Sequence, residues 1–156
     1  FLLVAFNAAA MTPEALEKAI QFPVEKYRLK NGLTVLLSPD DTIPTVSVHT
    51  WFRVGSKDEL VGRTGLAHFF EHMMFKGTKR YGKDTFSKFL KGKGAETNAF
   101  TSSDYTGYYI NAPSEHLALL LDIEGDRMRN LVLDPKDIQS EREVVKEERR
   151  VRTENS

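Results

Sequence analysis

Three residues in one short stretch have the types and spacing for metal-assisted acid–base chemistry. They are His68, Glu71 and His72, in Gly65-Leu66-Ala67-His68-Phe69-Phe70-Glu71-His72. On a helix, His68 and His72 lie one turn apart on the same face. Glu71 lies one turn from His68 and next to His72, and all three directions fall within about 100° of arc. Two imidazoles so placed can reach one ion at Zn–N distances of about 2.0–2.1 Å. A carboxylate beside them can reach a water on that ion and take its proton. A single His on an apolar helix is most simply a hydrogen-bonded core residue. Three ionisable groups are a different matter. Leu66, Phe69, Phe70, Met73, Met74 and Phe75 make this helix apolar nearly all round, so it is expected to be buried. Ionisable groups buried there cost on the order of several kcal/mol unless paired or metal-bound.

Two histidines do not complete a catalytic zinc site, which takes three protein ligands and leaves a position for water. The chain has no Cys, which excludes thiolate ligands, thiol nucleophiles and disulfides. The third ligand is therefore His49, His116 or a carboxylate. The stretch EREVVKEERRVRTENS offers Glu141 and Glu148, seven apart and so on one helical stripe, with Val144 and Val145 between them. Arg142, Glu143, Lys146, Arg149 and Arg150 then mostly face solvent, where i,i+3 and i,i+4 ion pairs can hold them. Spacing alone leaves Glu141 and Glu148 both open.

The elements that must position these residues can be read coarsely. Residues 14–20 read as one or two turns of helix, with Thr12 as the cap and Pro13 at the first helical position. VEKYRLKNGLTVLLSPD reads as two strands around Asn31-Gly32, a type I′ hairpin signal that needs positive φ at both residues. TVSVHTWFRVG alternates, with Val46, Val48, Thr50 and Phe52 on one face and His49, Trp51 and Arg53 on the other. A helix follows from Thr64 to Phe75. Another runs from Thr85 to Leu90, capped by Asp84 and ended by Gly92 and Gly94. AETNAFTSS and YTGYYINAP read as paired strands. Ser114 opens a helix with apolar positions Leu117, Leu120, Leu121, Ile123 and Met128. Asp134-Pro135 starts the last helix, to about Thr153. The sum is an α+β domain with a mainly antiparallel sheet and helices largely on one face.

The chain has 156 residues, 40% hydrophobic, with 22 basic residues balanced by 22 acidic ones. That size supports one core, and the apolar content excludes intrinsic disorder. The zero net charge argues against a nucleic-acid partner. No window reads as a membrane span. The uncharged start, FLLVAFNAAA, with small residues Ala8 and Ala10, resembles the end of a secretory signal peptide. Residues 1–10 are read as its remnant and 11–156 as the domain, placing the protein in the periplasm or outside the cell. The charged last helix has no following element, so the chain reads as a fragment at both ends.

Taken together, GRTGLAHFFEHMMFKGT, GAETNAFTSSDYTGYYI and EREVVKEE resemble the N-terminal part of a pitrilysin-type zinc peptidase, the inverzincin family marked by H-x-x-E-H. The resemblance covers about residues 24–154. It implies that His68 and His72 bind one zinc ion per chain and that Glu71 is the general base acting on the zinc-bound water. Seventy-five residues lie between His72 and Glu148, the spacing of the mitochondrial processing peptidase β branch, and this makes Glu148 the third ligand. Glu147 is its rival if the register slips by one. Glu141 matches a glutamate one heptad earlier that supports the ligands from behind. Asn98, Ala99 and Phe100 match the strand whose backbone pairs with an extended substrate.

The implied activity is zinc-dependent endoproteolysis of peptides or small unfolded proteins. His₂Glu ligation favours zinc, although manganese or cobalt can substitute. Family members close two related halves like a clamshell, so the chain is expected to be an incomplete N-terminal half. Its partner is a second homologous domain or subunit, which supplies an Arg and a Tyr to the substrate. The competing readings are a non-catalytic partner subunit of the same fold and a peptide-binding module with a structural zinc.

Overall fold

The structure, a computed structural model, describes residues 23–154. The expected signal-peptide remnant and the expected helix over residues 14–20 lie outside them. The chain divides into two units, one ending at Ile43 and one starting at Pro44.

The first unit contains a hairpin of β1 (Glu25–Arg28) and β2 (Thr34–Leu37), paired antiparallel with Arg28 opposite Thr34. The expected type I′ turn is not formed. Gly32 has φ 89°, and among the described residues none other than glycine has positive φ. Leu29 N–H donates to Leu33 O at 2.8 Å, and Gly32 N–H donates to Leu29 O at 2.9 Å. The loop therefore has three residues, a tight turn followed by a left-handed glycine. Asn31 keeps a negative φ, and its side-chain oxygen accepts the Leu33 N–H at 3.1 Å, which supports the turn locally.

The second unit is built on β3 (Thr45–Phe52), β4 (Glu96–Thr101) and β5 (Thr106–Pro113), in the antiparallel order β3-β5-β4. The alternation expected for β3 is seen, with Val46, Val48, Thr50 and Phe52 as its more buried residues. They pair with Ala112, Ile110, Tyr108 and Thr106 of β5, and the last three of these stand opposite Thr97, Ala99 and Thr101 of β4. Because side chains alternate across a strand, all of these share one face.

Among the described residues, four α-helices accompany this sheet: α1 (Leu66–Met73), α2 (Lys83–Gly92), α3 (Leu117–Asn130) and α4 (Pro135–Glu154). α1 and α3 meet the sheet through Thr101, Thr50 and Tyr108, all on that face. Leu90, Ala95, Ile110, Ala112, Leu120 and Ile123 form the core between them. Each fully buried Leu or Ile contributes about 1.5–3 kcal/mol. The α+β architecture, with antiparallel pairing and helices on one face, is as the sequence predicts. Among the described residues, no helix is long and apolar enough to cross a membrane.

Three further expectations are corrected. α2 starts at Lys83, so Asp84 lies inside it; Gly94, at φ 70°, follows its end as expected. On α3, Leu117, Leu121 and Met128 are exposed, and the inner face is Leu120, Ile123, Glu124 and Arg127. These four follow the i, i+3, i+4, i+7 spacing of one helical face, which the apolar pattern alone misplaced. α1 is not buried all round: Ala67, Glu71 and Met73 are buried, while Leu66 and Phe70, one turn apart, stay 45% and 49% exposed. Its apolar residues exceed what its inner face can cover.

Candidate metal centre

α1 starts from Gly65, which sits in the left-handed region at φ 94° and has no side chain to cap the helix. The cap comes from Glu59. Its Oε2 accepts the Gly65 N–H at 2.7 Å and its Oε1 accepts the Ala67 N–H at 2.8 Å. One turn of helix then carries His68, Glu71 and His72. α4 packs against α1 and brings in its inner stripe of glutamates.

Three side chains converge there. His72 Nε2 lies 3.2 Å from His68 Nε2. Glu148 Oε2 lies 3.4 Å from His68 Nε2 and 3.7 Å from His72 Nε2. Ligand atoms held at about 2.05 Å around a tetrahedral centre stand about 3.3–3.4 Å apart, so this triangle has the size that one ion requires. Among the described residues, His68, His72 and Glu148 are the group able to hold a metal. The chemistry of the donors agrees. His72 Nδ1 faces Glu141 Oε2 at 3.1 Å, so the ring proton belongs on Nδ1, donated to the carboxylate, and Nε2 presents a lone pair. Bare imidazole nitrogens that face each other and a carboxylate repel unless a cation or proton lies between them.

Glu141 does not reach the triangle. It holds the back of the His72 ring and pairs with Lys76, one turn beyond His72. Burial alone would raise its carboxyl pKa, but hydrogen bonds from Lys76 and His72 outweigh burial and hold it below the ordinary Glu range. Glu147 faces solvent and pairs with Arg150 at 2.6 Å, away from the triangle. His49 lies on the other face of the sheet, its Nε2 2.9 Å from Ser47 Oγ, and His116 neighbours Glu115. Neither histidine joins the group. Val145 lies half-buried on the inner stripe of α4, while Val144 is exposed. Glu143 pairs with Arg142 and Lys146 on the outer side, as expected.

Glu71 is 9% exposed and lies beside the triangle. Thr101 Oγ1, on β4, donates to its Oε2. Thr101 Oγ1 lies 3.4 Å from Thr106 Oγ1, whose hydroxyl donates to Val54 O at 2.9 Å. One oxygen of the Glu71 carboxylate is thus held by the strand. A cleft of about 700 Å³ is bordered by His68, Glu71, Ala99, Phe100 and Thr101. β4 is an edge of its sheet. Asn98 turns its side-chain oxygen to the Ala99 N–H at 2.9 Å. The Phe100 ring points to the other face, edge-on to Trp51 at 5.4 Å.

Sequence reasoning did not find Thr101, Lys76 or Glu59. Strand alternation puts Thr101 on the face of Ala99, and helical spacing puts Lys76 on the face of His72, so both had a signal. Glu59 has none, because it reaches α1 from an irregular loop.

Residues 34–156 match the family described as Insulinase (Peptidase family M16). The chain belongs to this family. It is 37% identical over 156 residues to a zinc protease, PqqE, of Helicobacter pylori, covering 99% of the chain and 34% of that protein. It is 38% identical over 118 residues to the mitochondrial-processing peptidase subunit beta of Blastocladiella emersonii, covering 76% of the chain and 25% of that subunit. Its fold matches the crystal structure of a protease from Helicobacter pylori with a TM-score of 0.83 at 39% identity, covering 87% of the chain and 33% of that protease. The chain spans about a third or less of the length of these insulinase-family relatives.

Proposed function

We propose that this chain carries the metal site and general base of a zinc-dependent endopeptidase that cleaves peptides or small unfolded proteins. The observation that carries the proposal is the triangle of His68, His72 and Glu148 with Glu71 beside it, His68 and Glu71 bordering the cleft along β4. Zinc bound there would supply a Lewis acid for the scissile carbonyl and bring the pKa of a water towards about 7.

The chain's own residues do the rest. Glu141 fixes the His72 ring through Nδ1, keeping Nε2 directed at the triangle. Thr101 holds Glu71 Oε2, leaving Oε1 to take the proton of the attacking water and return it to the leaving amine. Asn98, Ala99 and Phe100 lie on an edge strand, and an extended peptide that displaces the Asn98 side chain from the Ala99 N–H adds there as a strand with little demand on its sequence. A second homologous domain or subunit completes the enclosure around the peptide. The relatives' names, zinc protease and processing peptidase, agree with this reading.

The test is hydrolysis of an unstructured peptide by the full-length protein, with its zinc content measured in parallel. Cleavage is expected to stop with a chelator, to return with zinc, and to be absent from a zinc-loaded Glu71→Gln protein. Chelator-insensitive cleavage, or full activity in Glu71→Gln, overturns the proposal.

A further inference from the structure

Glu59 takes no part in the chemistry described above, yet both of its carboxylate oxygens are bound by the backbone at the start of the metal helix. A helix ordinarily takes its cap from a Ser, Thr, Asp or Asn at the cap position itself. Here that position is Gly65, and the cap is borrowed from six residues upstream. A carboxylate suits the positive end of a helix, so a role in stability alone would explain the contact. The surroundings of Glu59 say more.

The segment leading to Glu59 is fastened to the turn between β4 and β5. Ser56 N–H donates to Ser102 O and Lys57 N–H to Ser103 O, each at 3.1 Å. Gly55 lies so close to that turn that a Cβ would stand 2.4–2.5 Å from the Ser102 and Ser103 carbonyl oxygens. The Gly55 N–H is held by Asp58 Oδ2 at 3.0 Å. The β4–β5 turn therefore sets where Glu59 stands, and Glu59 sets where α1 begins. The Ala67 N–H that it binds belongs to the residue before His68. The same hairpin grips α1 a second time, one turn later, where Thr101 holds Glu71. Two carboxylates on opposite ends of one turn thus register the metal helix against the strand edge beside the cleft, and both border that cleft.

We infer that Glu59 is a positioning residue: it fixes the roll and height of α1 on the β4–β5 hairpin, so that His68 and Glu71 stand in register with the β4 edge. The part of this inference that concerns turnover rests on the peptidase reading; the part that concerns the metal site does not.

Two variants of the full-length protein test it. Glu59→Gln keeps the side-chain length but exchanges one acceptor oxygen for an amide that cannot accept. Glu59→Asp keeps the charge and shortens the reach, and remains informative if Glu59→Gln fails to fold. For Glu59→Gln, kcat on an unstructured peptide, per bound zinc, is expected to fall about 10–100-fold, the range for losing a group that orients a metal ligand. KM should change far less, and Glu59→Asp should fall between the two. The cobalt-substituted proteins give a readout independent of turnover: the visible absorption of the cobalt site should shift in Glu59→Gln. Variants that melt earlier but keep wild-type kcat per zinc and an unshifted cobalt spectrum overturn the inference. If the wild-type protein cleaves no peptide, the peptidase reading fails, and the cobalt spectrum alone still decides for or against Glu59.

Discussion

Glu71, Glu141 and Glu148 are the same residue type on two touching helices, and their neighbours separate their tasks. Glu148 Oε2 faces two imidazole nitrogens. Glu141 faces the back of one imidazole and a lysine. Glu71 is held by a threonine hydroxyl and looks into the cleft. Each position carries its own prediction. Alanine at His68, His72 or Glu148 should abolish tight zinc binding in the full-length protein, whereas Glu71→Gln should keep the metal and lose nearly all turnover, because an amide cannot accept the proton. Metal analysis beside a peptide assay checks both, and a Glu71→Gln protein without zinc would make Glu71 a ligand. Glu141→Ala should weaken zinc about 10–100-fold, as removal of a partner behind a ligand does, and Glu148→Ala should weaken it more. Competition against a chelator ranks the two; the reverse order would make Glu141 the ligand.

Among the elements, α3 carries the most unusual inner face. Arg127 and Glu124 are 1% and 4% exposed and pair at 2.8 Å, and Thr50 donates to Glu124 at 2.7 Å. The Arg127 guanidinium lies 4.6 Å from the Tyr108 ring centre and 5.8 Å from that of Phe75, just past the end of α1. Burial pushes the Tyr108 hydroxyl pKa well above its ordinary value, with Arg127 working against it. Breaking such a pair from one side leaves a buried charge alone and costs about 3–5 kcal/mol. Arg127→Met is therefore expected to destabilise by that amount in denaturant titrations. Arg127→Met combined with Glu124→Leu should cost much less, because no charge is stranded.

The other side of α3, where Asp122 is half-exposed and Asp126 is buried against Thr78, gives a pH dependence. Hydrogen bonds from Arg80 and Tyr81 lower the Asp122 pKa, and those from Thr78 and Asn130 lower that of Asp126. Carboxyls depressed in the folded state add stability above their unfolded pKa of about 3.9 and lose it as pH falls through the folded values. Unfolding free energy should therefore decline below about pH 4, and Asp122→Asn with Asp126→Asn should flatten that decline. An unchanged acid slope in the double variant would remove these two groups as its source.

At the scale of the molecule, His68, Glu71, His72 and Glu148 all lie in one unit of a chain that spans about a third of its relatives. The 156-residue chain should therefore bind one zinc once folded, yet show only a trace of peptidase activity. Losing a single donor to a developing oxyanion costs about 10²–10³ in rate, and a missing second half would remove more than one. Adding the remaining part of the full-length protein in trans should restore cleavage; robust chelator-sensitive turnover by the chain alone would show the second half to be dispensable. Sequence by itself determined what repeats along the chain: the one-turn spacing of His68, Glu71 and His72, the alternation of β3, the β4–β5 pair, and the stripe shared by Glu141 and Glu148. These are local distances, set by the rise of a helix or the pleat of a strand. The tertiary structure decided what depends on how two elements meet. The contact of His72 with Glu141 joins residues 69 apart in the chain, and which glutamate meets which ring nitrogen follows from the height and roll of α4 on α1. Likewise Thr101 on Glu71, Glu59 under Gly65, and the buried Arg127 where apolar spacing favoured Leu117, Leu121 and Met128 are outcomes of packing, because periodicity names a helix's faces but not the one its neighbours will cover.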